Sequence, residues 1–160
     1  MANPPTTYRE RLTVPWWAWP ATLGVAAFLA AELAIGAVAL RHPVTFAVAC
    51  ALAAAGLFAL SRVLIRVDGG ELQVDDARLP LGVIASVEVI GPQARRDLLG
   101  LDADPLAFVI QRPWIGGGVR IDLADPADPT PYWFVSTRHP DRLAAAVKAA
   151  RDARGEVNAA

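Results

Sequence analysis

Charge is what this chain has least of. Only 19% of its 160 residues are charged and 54% are hydrophobic, where an ordinary soluble domain carries about 25% charge and about 45–50% apolar residues. The mean hydropathy is +0.35. That apolar content excludes a disordered chain, and a formal net charge of -1 excludes a nucleic-acid binder working through bulk positive charge. Cysteine is almost missing. Cys50 is single, so no intramolecular disulfide can form, and one thiol inside an apolar run reads as a small hydrophobe. Histidine is scarce as well: His42 and His139 are far apart in sequence, and a two-span topology would put them on opposite sides of a membrane. No CxxC, HExxH, GxSxG or Walker spacing occurs. Gly116-Gly117-Gly118 lacks the Lys-Ser/Thr of a phosphate loop and reads as a turn. Asp102, Asp104, Asp125 and Asp128 fit no EF-hand spacing and suit ordinary turns. The residue pattern therefore predicts no catalytic, cofactor-binding or metal-binding residues.

What is present is concentrated. From Trp16 to Leu40 the single ionisable residue is Glu32, and Val44 to Leu60 holds none charged at neutral pH. A helix needs about 20 apolar residues, rising about 1.5 Å each, to cross about 30 Å of hydrocarbon. Two transmembrane helices are expected, at 16–40 and 44–65. The second reaches its length by running through Val63, Leu64 and Ile65 past Arg62, which can snorkel. A cleaved signal peptide would use Arg9 and Arg11 as its charged start and Ala37-Val38-Ala39 as its cleavage site. Its apolar region would be about 7–15 residues, well short of this run. Arg41-His42-Pro43 makes a tight turn between the spans, so both termini share a side. Arg9, Arg11, Arg62, Arg66 and Arg78 outnumber Arg41, and the positive-inside rule puts both termini in the cytoplasm of a multi-pass plasma-membrane protein. Residues 1–15 would be a cytoplasmic N-terminal segment, with Trp16, Trp17 and Trp19 as an aromatic belt after it.

Beyond Leu60 the period changes from helix to strand. Alternating pieces at Arg62–Val67, Glu71–Val74, Arg78–Leu81, Val83–Ile90, Leu106–Gln111, Val119–Leu123 and Tyr132–Ser136 are separated by turn signals such as Asp68-Gly69-Gly70, Asp75-Asp76-Ala77 and Asp125-Pro126-Ala127-Asp128-Pro129. Val83, Ala85, Val87 and Val89 would share one strand face. Gln93–Leu99 reads as a short helix. His139–Arg154 reads as an amphipathic helix with Leu143 and Val147 inward and Asp141 favourably placed in its first turn. No βαβ alternation occurs, so an antiparallel barrel or sheet capped by the last helix is expected over 66–152, with 153–160 a frayed tail.

Several segments carry a resemblance. These are Tyr8-Arg9-Glu10-Arg11-Leu12, Asp76-Ala77-Arg78-Leu79-Pro80-Leu81, Phe108–Trp114 and above all Asp128-Pro129-Thr130-Pro131-Tyr132-Trp133-Phe134-Val135-Ser136-Thr137-Arg138-His139-Pro140. Together they resemble the actinobacterial integral membrane proteins grouped as DUF3093, a family of unknown function, from about Tyr8 to about Ala150. The resemblance implies two N-terminal membrane helices and a C-terminal β-rich domain, and supplies no catalytic residues. The strand-then-helix ending is also similar to bacterial PH-like domains. The expected fold is a membrane α-helical hairpin followed by a small, mostly-β, PH-like domain with a C-terminal helix.

Two sets of residues remain as candidates for interaction. Glu32 lies about 12 Å along its helix from Leu40, and a carboxylate at the centre of a span costs about 2.5–3.5 kcal/mol. It would serve helix packing, for instance through Thr45 across the hairpin, or meet a partner chain. The second set is Arg112, Trp114, Arg120, Trp133 and Arg138 with Tyr132. Alternation separates Tyr132 from Trp133, so one of the two would lie exposed or at a groove edge. The structural alternative is that the tryptophans fill the core and the arginines are solvated. The expected function is non-enzymatic: a membrane-anchored binding or scaffolding module whose sheet edge or Arg112–Arg120 loop meets a protein or anionic lipid. The alternatives are an accessory subunit of a transport or envelope complex and a membrane-surface enzyme using Arg112 and His139. Expected partners are the lipid bilayer and a protein or a second copy, with no cofactor and no nucleic acid.

Overall fold

A computed structural model describes residues 8–36, 43–100, 103–125 and 128–159, with backbone only at Gly36 and from Gly155 onward. Ala37-Val38-Ala39, Arg41, His42, Asp102 and the centre of the Asp125–Pro129 turn lie outside the described residues. The chain divides into two compact units, Thr13–Val63 and Met1–Leu12 with Leu64–Ala160.

The first unit is a pair of helices, α1 (Ala18–Gly36) and α2 (Pro43–Leu60), packed on each other. Both are long and apolar enough to cross a membrane. Apolar side chains point outward all along them: Val25, Phe28, Leu29, Leu33 and Ile35 on α1, and Val44, Val48, Leu52 and Phe58 on α2. A helix apolar on every face has no polar side to offer water. The two ends of the unit are tied together. The Val14 N–H donates to the Ser61 hydroxyl at 3.2 Å, and that hydroxyl donates to the Leu57 carbonyl at 2.9 Å.

Helix α2 stops at Leu60 and does not run on to Ile65. The reason is a strand ahead of the first helix. Tyr8–Arg11, within the N-terminal segment of the sequence reading, forms β1, and it pairs antiparallel with β2 (Leu64–Asp68) in the register Tyr8↔Val67, Arg9↔Arg66, Glu10↔Ile65 and Arg11↔Leu64. Leu64 and Ile65 are thereby taken into a sheet. In the chain, the helical pair is an insertion between two hydrogen-bonded strands.

β3 (Glu71–Val74) and β4 (Ala77–Pro80) complete an antiparallel sheet in the order β1-β2-β3-β4. Gly69 and Gly70 turn the β2–β3 hairpin at φ of 59° and 88°, a backbone region open to glycine without the Cβ penalty. Ile65, Val67, Leu72, Val74 and Leu79 alternate into the core. After a 3-10 turn at Leu81–Val83, β5 (Ile84–Ile90) opens a second sheet. A register shift between Ile84 and Ser86 breaks the alternation, so that Ile84, Val87 and Ile90 are buried while Ala85 is exposed and Val89 is 41% exposed. The shared face of Val83, Ala85, Val87 and Val89 therefore does not form. A bulge accommodates one extra residue and resets the face of everything beyond it.

The rest of the second sheet is β6 (Phe108–Ile110), β7 (Gly118–Leu123) and β8 (Tyr132–Ser136), ordered β5-β7-β8-β6. β6 and β8 run parallel, against the antiparallel expectation, because the chain leaves β6, builds β7 and only then returns as β8 between them. β8 is buried at all five positions. On one face Tyr132 and Phe134 join Ile90 under Leu98, Leu99 and Ala107, which brings the short helix α3 (Pro92–Leu98) and the segment before β6 over the sheet. On the other, Trp133 pairs with Phe108, ring centroids 4.2 Å apart. The C-terminal helix α4 (Pro140–Ala159) packs on β5, β7, β1, β2 and the 3-10 turn and buries Leu143 and Val147 fully.

Candidate functional site

The order of strands decides which candidate residues meet. Trp133 is 8% exposed and Tyr132 5%, so the expectation that one of them lies open is overturned: an inner strand covered on both faces hides both. Arg120, on β7, sits on the face of Tyr132. Its guanidinium lies 4.3 Å from the Tyr132 ring centroid and its Nε is 2.7 Å from Asp122 Oδ1. Asp122 also accepts a hydrogen bond from Ser86. Arg120 is thus held by the sheet's own side chains.

The structure brings Trp114 and Arg138 together. They line one groove with Val89, Ile90, Pro92, Ile115, Gly116, Gly117, Thr137 and Pro140, about 470 Å³ in volume. A second groove, about 480 Å³, shares Pro92 and Gly116 with it and is lined by Arg95, Arg96, Leu99, Gln111 and Pro113. Arg95 donates to the Ile115 carbonyl, pinning α3 to the loop. The Arg112 backbone N–H donates to the Ser136 hydroxyl at 3.2 Å, while Arg112 Nε and Trp114 Nε1 are buried with no acceptor. An unmet buried donor costs about 1–3 kcal/mol, so these two are the places in the loop where an added acceptor gains most. Arg95 and Arg96 escaped the sequence reading, whose short helix over Gln93–Leu99 carried no sign of which loop it would face.

Another polar group escaped it entirely. Glu10, on β1, accepts from the Tyr8 hydroxyl at 2.6 Å, from the Thr137 hydroxyl and from the Arg138 backbone N–H at 3.0 Å. Thr137 is 1% exposed, and its oxygen also accepts the His139 N–H at 3.1 Å. Partial burial, then the hydrogen bond to the Glu10 carboxylate, push the Tyr8 hydroxyl up to about 12. The N-terminal strand is thereby stitched to the junction of β8 and α4. The alternation in Tyr8-Arg9-Glu10-Arg11 was a usable signal, though four residues that are polar on both faces are a weak one.

Glu32 lies on an exposed face of α1. Val25, Phe28, Leu29 and Leu33 surround it at helical spacing and are themselves exposed. Among the described residues no hydrogen bond or ion pair involves it. His139 lies exposed at the start of α4, and among the described residues no group of three or more His, Cys, Asp or Glu stands close enough to hold a metal ion.

The whole of this architecture, from β1 into α4, falls inside one family match, to residues 7–147 of the chain, described as a protein of unknown function, DUF3093. The chain belongs to the DUF3093 family. No curated protein and no solved structure shows significant similarity to it. The DUF3093 match begins just before β1 and ends at Val147, a fully buried residue of α4. It includes the stitch from Glu10 to Thr137 and the helical insertion between the strands that the stitch secures.

Proposed function

We propose that this protein is a non-enzymatic binding or scaffolding module of PH-like kind, held at the cytoplasmic face of the plasma membrane by its helical hairpin. The observation that carries the reading is the insertion of the hairpin between β1 and β2. Arg11 and Leu64 are register partners, so the β domain is tethered by two short connections rather than one flexible linker. Two tethers restrict rotation as well as distance, which suits a module that presents one surface. The helices support the membrane part: only 11% and 6% of their apolar windows are buried, whereas the core helix of a soluble protein is mostly buried. The five arginines flanking the hairpin support the cytoplasmic side.

The grooves flanking Trp114 are the surface best suited to a ligand, since they combine apolar walls, three arginines (Arg95, Arg96 and Arg138) and the unmet Trp114 donor. Alkaline carbonate extraction tests the anchor, and crosslinking in intact membranes with probes at Gln111 and Gln93 tests the binding. The reading requires the protein to stay in the membrane pellet and a discrete adduct to form at Gln111. Release by carbonate, or no adduct together with no lipid bound, sinks it.

A second reading is an accessory subunit of a transport or envelope complex. Glu32 favours it, being a carboxylate set among exposed apolar side chains with no partner among the described residues. Glu32→Gln should then weaken assembly with a membrane partner. A variant that assembles as well as the parent removes this reading.

A further inference from the structure

We infer that the outer face of the first sheet docks on the phosphates of anionic phospholipids in the leaflet beside the hairpin's roots. The inference rests on the membrane-anchored reading above and assigns that membrane's lipid to a surface other than the Arg112–Arg120 loop.

Strand register defines the surface. Arg9 pairs with Arg66, Arg66 with Gln73, and Gln73 with Arg78. Directly paired residues share a face, so these four side chains form one row across all four strands, with Arg11 on the same face two residues nearer the hairpin. The intervening residues Ile65, Val67, Leu72, Val74 and Leu79 are buried on the opposite face. At about 4.8 Å between strands the row is about 14 Å long. Arg9, Arg11 and Arg78 are exposed, and a shallow groove of about 430 Å³ is lined by Arg66, Gln73 and Arg78, with Asp68, Gly69 and Glu71 completing its wall.

Chain continuity then brings the row to the bilayer. Four residues, Leu12 to Pro15, lie between Arg11 and Trp16, and a fully extended chain covers at most about 3.6 Å for each of the five steps, or about 18 Å here. Trp16 and Trp17, 81% and 57% exposed, are suited to the headgroup level. Chain length alone therefore holds Arg11 within about 18 Å of Trp16, with Arg9 about 7 Å further along β1. The acidic residues of this face are set away from the roots or off the tethered strands. Asp68 and Glu71 lie a further two residues from the hairpin, Asp68 paired with Arg66, and Asp75 and Asp76 turn the β3–β4 corner. On β1 and β2, the strands continuous with the helices, three arginines face outward against Asp68. A guanidinium presents a planar fork of donors that matches phosphate oxygens. The Arg95–Arg96 groove has the same chemistry, but no tether fixes its distance from the bilayer.

The test uses the full chain in nanodiscs. In a Cys50→Ala background, a nitroxide at Gln73→Cys reads collisions with a trace nickel-chelating lipid. Discs of phosphatidylcholine are compared with discs that also contain phosphatidylglycerol. The docked population should rise with phosphatidylglycerol and fall with salt, as the screening length drops from about 10 Å at 0.1 M to about 3 Å at 1 M. Arg78→Gln alone should reduce it about five-fold, and Arg9→Gln/Arg66→Gln/Arg78→Gln on the order of a hundred-fold, from about a five-fold contribution per arginine at an anionic surface. The corresponding triple lysine variant, which keeps the charges, should retain most of it and guards against a folding defect. Equal relaxation in both kinds of disc, or no loss in either glutamine variant, overturns the inference. A second nitroxide at Leu29→Cys separates lipid docking from membrane anchoring. If it reports hydrocarbon while Gln73→Cys is indifferent to phosphatidylglycerol, only the lipid inference fails; if it reports water, the anchored reading itself fails.

Discussion

Replacing Glu10 with alanine tests the claim that the N-terminal strand is part of the β domain. The carboxylate accepts three hydrogen bonds, from Tyr8, Thr137 and the Arg138 N–H. A hydrogen bond to a charged group contributes about 1.5–3 kcal/mol net. Tyr8 and the Arg138 N–H can turn to water once Glu10 is gone, whereas the Thr137 hydroxyl, 1% exposed, has less access to it. The loss should be about 2–3 kcal/mol, or roughly 10–20 °C in melting midpoint for a domain of about 100 residues. Hydrogen exchange of the full chain in mild detergent locates the effect: amides of β1 and of the β8–α4 junction should lose protection first, with α1 and α2 unchanged. Glu10→Gln, which keeps one acceptor oxygen, should lose about half as much. If β1 amides exchange at the parent rate and the midpoint stays put, the stitch does not hold the strand and the reasoning is wrong.

Other predictions follow from the same contacts. Gly118→Ala would place a Cβ 2.6 Å from both the Phe134 ring and the Val135 carbonyl; overpacking of this kind costs about 1–3 kcal/mol, and a variant as stable as the parent in denaturant titration would contradict the packing of β7 on β8. Trp133→Ala should cost about 3–5 kcal/mol, from lost burial and the cavity left against Phe108; a loss below about 1 kcal/mol by the same titration would mean that Trp133 is not core. The Tyr8 hydroxyl, raised from an ordinary 10.0 to about 12, stays neutral in the folded chain while the unfolded chain ionises. Its contribution is complete below pH 10 and is lost as pH rises from 10 to 12, on the order of 1 kcal/mol once its partial exposure is discounted; an absorbance titration with Tyr8→Phe as reference checks this. Deleting residues 13–62 and joining Leu12 to Val63 through Asn-Gly, a turn suited to two-residue hairpins, should yield a water-soluble β domain with a cooperative melt. An aggregated product would argue that the hairpin is more than an insertion.

Local periodicity carried the sequence reading a long way. Glu71–Val74 and Tyr132–Ser136 form strands at the residues expected, the β-rich stretch forms two sheets, and Leu143 and Val147 face the core, because each of these depends on neighbours within a few positions. What was illegible depends on pairing across long separations. Nothing within Leu64-Ile65 distinguishes the end of a span from a strand; the distinction comes from Arg11 and Glu10, more than fifty residues earlier. The double burial of β8 likewise depends on α3 and β6 closing over it. Of the candidate interaction residues, Trp114 and Arg138 share a groove, and Trp133 fills the core as the structural alternative had it; the choice between Tyr132 and Trp133 failed because alternation reports facing but not how many faces are covered. Glu10 looked like one charge in a polar segment, since its three donors come from Tyr8 beside it and from a junction at the other end of the chain.

The most direct test of the account is the accessibility of single cysteines from the two sides of the membrane. In a Cys50→Ala background, Asp76→Cys and His42→Cys are each exposed to a membrane-impermeant maleimide in intact cells and in inverted vesicles. The account predicts that Asp76→Cys reacts only in inverted vesicles and His42→Cys only in intact cells. Labelling of both from the same side would contradict a two-span hairpin with its β domain in the cytoplasm.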